Sequence, residues 1–312
     1  MSKFTLNITK TEVLHGIYNG GNSPTNLNRN LYEAIADVLL EALVKGYKEG
    51  KKKQGKLNAK IVRNDWSKPL EKIMMDTKDE AMVNELTTNI YMFSASKVFS
   101  ETTEMSKLLL DENGLVRSFK DFEIASEGVW DTYNNVWLNT EFDTAVASAR
   151  SASKWVEIQK NKAERPYLRY SAVMDDHTCE ICASLDDITL PADDSFFDEN
   201  TPPNHFNCEC VLEQLEESDL EEVDGLSDQE EVDDAVEKSH EHKDEMWNFN
   251  PGKQGEIFPT SGTEKHPYFE VDGATKEFAL KNFGLLLPEL LIGAGIQAEK
   301  TDNTETEDDN ED

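Results

Sequence analysis

The sequence predicts an α+β, helix-dominated chain, with long helices followed by a small β-containing Cys/His module. Three observations carry that expectation. Apolar residues recur at helical spacing through the first half of the chain, short alternating runs appear only after Pro166, and all four cysteines fall in the window from Cys179 to Cys210. At 312 residues there is material for about two domains of ordinary size.

The first predicted helix carries Leu31, Ile35, Val38, Leu39, Ala42, Leu43 and Tyr47 on one face. It is expected to stop in an exposed basic loop over 46–55, where Gly and Lys alternate. A second helical region spans 68–110, with Met82, Leu86, Ile90 and Phe93 inward. A third runs over 119–162, and no proline or glycine interrupts it after Val129. Its tryptophans, Trp130, Trp137 and Trp155, are spaced close to whole α-helical turns, so all three are expected on one buried side. Residues 167–173 alternate like a strand, and 188–190 and 208–215 read as two more. Beyond Trp247, the turn signal Asn250-Pro251-Gly252 precedes brief strands expected at 256–258 and 268–271 and a short amphipathic helix from Lys276.

Charge excludes some functions and organises the chain. Thirty-one Lys and Arg stand against 63 Asp and Glu, a net charge of −32, so the surface repels a phosphate backbone and is a poor candidate for a general nucleic-acid binder. Two segments concentrate the acidity. Residues 213–246 hold sixteen acids against Lys238 and Lys243, and 299–312 hold eight against Lys300. Scattered apolar positions leave the first as a linker or an exposed helical excursion, and the second as a disordered tail whose removal should not disturb folding. The expected division is an N-terminal helical segment 1–56, a helical body 57–165, the Cys/His module 166–215, an acidic linker 216–246, a small C-terminal lobe 247–298 and the tail 299–312. The longest apolar run, 283–296, contains Pro288 and Glu289 and is too short to span a bilayer. The opening residues lack a hydrophobic signal core, so a cytoplasmic, reducing setting without structural disulfides is expected.

That setting leaves the cysteine cluster to be explained. Cys179 and Cys182 form a C-x2-C pair, and His205, Cys208 and Cys210 follow after a loop of ordinary length for zinc ribbons. Thiolates are soft ligands, and two intervening residues let one turn present both sulfurs to a tetrahedral ion. The expected site is a structural zinc on Cys179, Cys182, His205 and Cys208, with Cys210 as substitute. Metal-free packing of buried cysteines, or a redox C-x2-C, would account for the same residues. The other histidines carry less: His177, His240 and His242 are expected to be solvated, and His266 to sit in a turn before a strand. No nucleophile elbow, phosphate loop or dinucleotide fingerprint is present, and no His-x-Glu precedes either cysteine pair, which argues against a zinc deaminase.

The run Tyr170-Ser-Ala-Val-Met-Asp175-Asp-His-Thr178-Cys179-Glu-Ile-Cys182, followed by Pro202-Pro203-Asn-His205-Phe-Asn-Cys208-Glu-Cys210, resembles the signature of the Mu F-like minor head proteins of tailed bacteriophages. Asp175, Thr178, Cys179, Cys182, Pro202, His205, Cys208 and Cys210 match that pattern. Glu209 departs from it, standing where the family usually has arginine. Asn139-Thr140-Glu141 on the preceding helix is similar too, and the likeness extends over about 120–215. The resemblance implies a minor head protein acting in head morphogenesis by docking to portal or major coat protein, in the host cytoplasm during assembly and in the virion afterwards, packaged with or ejected alongside DNA. No sequence-specific nucleic-acid contact and no membrane are expected among its partners. The competing expectation is a metal-dependent enzyme, a nuclease or a transferase or toxin domain, carried on a head module.

Overall fold

The computed structural model describes residues 4–20, 28–51, 66–174, 178–260 and 265–270. The expectations for His177, for Asp175, for a helix from Lys276, for the run 283–296 and for the tail lie outside these residues.

The helical body is built on three long helices. α1 (Lys10–Gly20) leads into α2 (Arg29–Gly50), capped by the Asn28 side chain on the Leu31 amide at 3.0 Å. A short α3 (Ser67–Glu71) precedes α4 (Thr77–Lys107), whose cap is Asp76. The predicted apolar faces are the buried ones: Leu31, Ile35, Leu39, Leu43 and Tyr47 on α2, and Met82, Leu86, Ile90 and Phe93 on α4. α2 stops at Gly50, inside the stretch 46–55 where its end was expected, but 46–50 are helix rather than exposed loop: Gly46 lies against the Val146 backbone of a later helix, and a helix can pass that close only without a Cβ.

The third helical region is also corrected, since it is not one uninterrupted helix. It comprises α5 (Phe119–Ala125), α6 (Glu127–Trp130), a π-helix over Asp131–Trp137 and α7 (Leu138–Asn161). The i→i+5 ladder turns the chain less per residue, so seven residues no longer amount to two whole turns. Trp155 is buried, Trp130 is half-buried and Trp137 is 42% exposed, so the tryptophans do not share one side.

Buried charge ties the same helix ends together. Asp79 of α4 is fully enclosed and is contacted by the Tyr47 hydroxyl at 2.8 Å, by Lys51, and by Lys160 of α7 at 3.3 Å. A buried carboxylate of this kind persists only when it is paired.

α7 is shared between two cores. Its first turns, with Phe142, Ala145, Val146, Ala149 and Ala152, pack in the body; its last, with Trp155 and Ile158, pack with the module. There β1 (Tyr167–Ser171) is the centre of an antiparallel sheet ordered β2-β1-β3. Its partners are β2 (Thr189–Pro191) and β3 (Val211–Leu215), with Leu168 opposite Leu190 and Gln214. α8 (Glu180–Leu185) and α9 (Phe196–Glu199) fill the connections.

The acidic stretch is more than a spacer. A 3-10 turn over Glu217–Glu222 leads to α10 (Gln229–His240), which lays Ala235 and Ser239, with Val232 and Val236 half-buried, onto α8 and the module core. A capping box starts α10: Asp228 accepts from the Glu230 and Glu231 amides at 2.9 and 3.0 Å, and Glu231 accepts from the Asp228 amide. Single apolar positions three and four apart suffice once a neighbouring face receives them. Asp228→Ala should cost about 1 kcal/mol, read as faster amide exchange along α10; unchanged exchange would show that packing alone holds the helix.

Residues 247–260 and 265–270 contain no strands, and Ile257, Phe258, Tyr268 and Phe269 pack in the core of the body. α11 (Pro251–Gln254) presses Gly252 against Trp155, and Asn89 of α4 accepts from the Ile257 and Phe258 amides and donates to the Phe258 carbonyl. With those backbone groups taken by one side chain, no strand partner is required. His266 opens a 3-10 turn over Pro267–Glu270 where a strand was expected to follow, and it is buried between Phe93 and Phe258; burial first, then the nearby Lys97 charge, pushes its imidazole down to about 3. Among the described residues no helix is long and apolar enough to cross a membrane.

Candidate metal centre

The period of β1 sends Leu168 and Tyr170 inward, and Tyr170 is fully buried beneath the cysteines. After β1 the chain turns back, closed by the Thr178 hydroxyl on the Val173 carbonyl, and α8 begins. Cys179 is the residue before the first turn of α8 and Cys182 the third within it, so both sulfurs face one way. On the far side of the loop, Asn207 takes a left-handed φ of 60°, a conformation that asparagine tolerates well, and the Cys208 amide closes onto the His205 carbonyl at 3.3 Å. This turn delivers His205 and Cys208 to Cys182.

Two separations from Cys182 are short. Cys182 Sγ lies 3.2 Å from His205 Nε2 and 3.8 Å from Cys208 Sγ. The ligand atoms form two overlapping groups, Cys179 with Cys182 and His205, and Cys182 with Cys208 and Cys210, each within 4.8 Å. All five residues singled out from the sequence are therefore brought together, and Cys182 belongs to both groups. His205 Nδ1 is 2.8 Å from the Phe206 carbonyl; an N–H donated there leaves Nε2 as the lone-pair nitrogen facing Cys182.

Sequence reasoning missed three neighbours of the cluster. The Tyr170 hydroxyl donates to Cys182 Sγ at 3.4 Å and accepts from Asn204 Nδ2 at 3.0 Å. Asn204 is itself fully buried, donating also to the Asn200 carbonyl. Lys243, from the end of the acidic stretch, donates to the Glu199 carbonyl at 2.5 Å; burial pushes its ammonium down to about 7, against the opposing pull of Glu199, Cys182 and Cys208. Inward alternation along β1 was the available signal for Tyr170; nothing local marked the other two.

Cys182 and Cys208 shift one another's protonation in opposite directions. Hydrogen bonds from Cys182 and Cys210 drive Cys208 well towards thiolate, while Cys182, the donor to Cys208, is held far above the usual thiol range. Burial and the neighbouring cysteines likewise keep Tyr170 protonated. His242, from the acidic stretch, is exposed and faces Glu180 of α8 at 2.8 Å, and His240 is exposed, so neither joins the cluster. Glu209 is exposed, and its backbone carbonyl receives Arg150 of α7 at 3.4 Å.

Residues 115–213 match the family described as Phage Mu protein F like protein. Over 86 residues the chain is 29% identical to protein F of Escherichia phage Mu, a protein named for capsid assembly, which takes in 28% of this chain and 20% of that relative. Over 80 residues it is 34% identical to the Mu-like prophage FluMu F protein of Haemophilus influenzae, covering 26% of this chain and 19% of the relative. The chain thus spans about a fifth of the length of these curated relatives. No solved structure matches it. The family window opens in the hairpin before α5, passes through the π-helix and α7, and closes inside β3, enclosing all five candidate ligands. Over residues 115–213, from the middle of the body to the edge of the small sheet, the chain is similar to the Phage Mu protein F like family.

Proposed function

We propose that this chain is a phage minor head protein that acts in head morphogenesis by binding rather than by catalysis, docking to portal or coat protein. The observation that carries this reading is the family match over the region that holds the Cys/His centre, together with a curated relative named for capsid assembly. Physical support comes from α10. Its outward residues Glu230, Glu231, Asp233, Asp234, Glu237 and Glu241 are all exposed on a helix anchored to the module. Such a face suits a basic partner surface, and attraction of this kind is screened over about 8 Å at physiological salt. Purified chain mixed with portal rings or coat shells should be captured at low salt and released as salt rises, and Asp233→Lys with Asp234→Lys should weaken capture about tenfold or more. Capture indifferent to salt would refute the electrostatic docking. Absence of the chain from both proheads and virions, by mass spectrometry, would refute the function.

A single zinc as the staple of the module is the second part of this reading. A tetrahedral ion about 2.3 Å from each sulfur sets its sulfurs about 3.8 Å apart, which is the Cys182–Cys208 separation. Cys179, Cys182, His205 and Cys208 would hold the ion, and Cys210 lies close enough to replace one of them. Four protein ligands leave no open position, so the ion would fix the turn from 183 to 204 rather than activate water.

A further inference from the structure

Away from the cysteines, the centre of the helical body contains a second concentration of buried charge. Lys97 and Glu101, one turn apart on α4, are both fully enclosed, and Glu141 of α7 and Asn134 of the π-helix are nearly so. The Lys97 ammonium donates to Glu141 Oε1 at 2.9 Å and to the Tyr268 hydroxyl at 3.3 Å, and lies over the rings of Tyr133 and Tyr268 at 5.1 and 5.2 Å. Glu101 receives only the Asn134 amide, on Oε1 at 2.5 Å. Three enclosed oxygens, Glu101 Oε2, Glu141 Oε2 and Asn134 Oδ1, have no hydrogen-bond partner.

Two carboxylates here lie near one ammonium, which pairs directly with only one of them. Glu141 holds the direct ion pair, whereas Glu101 would be ionised against a single amide in a fully enclosed site. An enclosed charge so poorly compensated costs more than neutralising it, and a proton also supplies a donor where one is lacking. We propose that Glu101 is a buried proton site, a neutral carboxylic acid beside the ionised Lys97–Glu141 pair, and that losing this proton unlatches the π-helix and the Pro267–Glu270 turn from α4. The π-helix supports this assignment. Its wider turn brings Tyr133 and Asn134 inward together at this level, and such turns concentrate at sites with a role beyond packing.

The titratable groups facing Glu101 come from every side. They are Lys97 and Glu104 of its own helix, Tyr133 of the π-helix, Glu141 of α7, and Tyr268 with the neutral His266 from the C-terminal turn. Lys10 of α1 and Glu127 of α6, on elements that also pack on α4, pair with each other. Burial dominates, pushing Glu101 up to about 8; Lys97 and the Asn134 amide pull it down, and Glu141 and Glu104 add to the rise. A value raised in the folded state means that folding binds a proton which the unfolded chain, at about 4.3, has released. The contribution is complete below the unfolded value and is lost as pH rises towards about 8.

The test is the thermal midpoint of the full chain from pH 5.5 to 9, compared with Glu101→Gln, whose amide is neutral throughout. Relative to the variant, the natural chain should lose about 5 °C or more across that range. Titration of cysteines and exposed groups is common to both proteins and cancels in the comparison. Amide exchange over 131–137 and 267–270, corrected for intrinsic rates, should accelerate above pH 8 in the natural chain alone. Parallel midpoint curves would overturn the proton site, and a midpoint difference without accelerated exchange would overturn the unlatching. If the variant fails to fold, the infrared band of a protonated carboxyl in the natural chain decides: present at pH 7 and bleached by pH 9 supports the site, and absent at pH 7 refutes it.

Discussion

Gly46→Ala is expected to lower the thermal midpoint by about 10 °C. A Cβ built at Gly46 would lie 2.1 Å from the Val146 carbonyl oxygen and 2.9 Å from its carbon. Both are backbone atoms of a helix and cannot rotate away, so α2 and α7 must separate along the seam on which the body is built. Alanine gains about 1 kcal/mol over glycine in a helix interior, but overpacking against fixed backbone costs roughly 3–5 kcal/mol. The net loss of about 3 kcal/mol corresponds to roughly 6–12 °C for a chain of this size. Gly128→Ala is the control, because a Cβ there meets nothing within 4 Å and should be neutral or slightly stabilising. A midpoint for Gly46→Ala indistinguishable from that control would show that the seam yields freely.

Cys182→Ser should empty the module of zinc while leaving the body folded. Cys182 is the sulfur common to both ligand groups, so no alternative quartet among the five residues avoids it without breaking a group. Structural zinc contributes on the order of 10 kcal/mol to small metal-held folds, far more than the module's short strands and two short helices can replace. Elemental analysis should find about one zinc per natural chain and almost none in the variant. Proteolysis should open residues 172–215, while amides of α2, α4 and the first turns of α7 keep their protection. Cys210→Ser should retain the metal if Cys179, Cys182, His205 and Cys208 are the ligands. Loss of zinc in Cys210→Ser with retention in Cys179→Ser would instead place the ion with Cys182, Cys208 and Cys210. Natural protein purified without chelator and free of zinc would leave a metal-free sulfur core.

Much of the body was legible because it is written in short-range periodicity. The stripe from Leu31 to Leu43 and the series Leu86, Ile90, Phe93 are the faces that are buried, and the alternation after Pro166 marks β1. The π-helix was not legible. Residues 131–137 contain neither proline nor glycine, and their departure from α-helical phase answers to Glu101 and Lys97 on another helix. α10 was obscured by composition, since its few apolar residues matter only where α8 waits for them.

By itself the sequence determined the helix faces, the existence of the small sheet and the company that the cysteines keep with His205, because each depends on residues a turn, a strand or a loop apart. Only the tertiary structure decided that Gly46 is a contact, that Asn89 holds the chain 169 residues later at Phe258, and that Glu101 is enclosed beside the Lys97–Glu141 pair. Those outcomes depend on which faces meet. Glycine, asparagine and glutamate carry no local mark of being enclosed; it is the loss of water around them, once the helices close, that makes each of them matter.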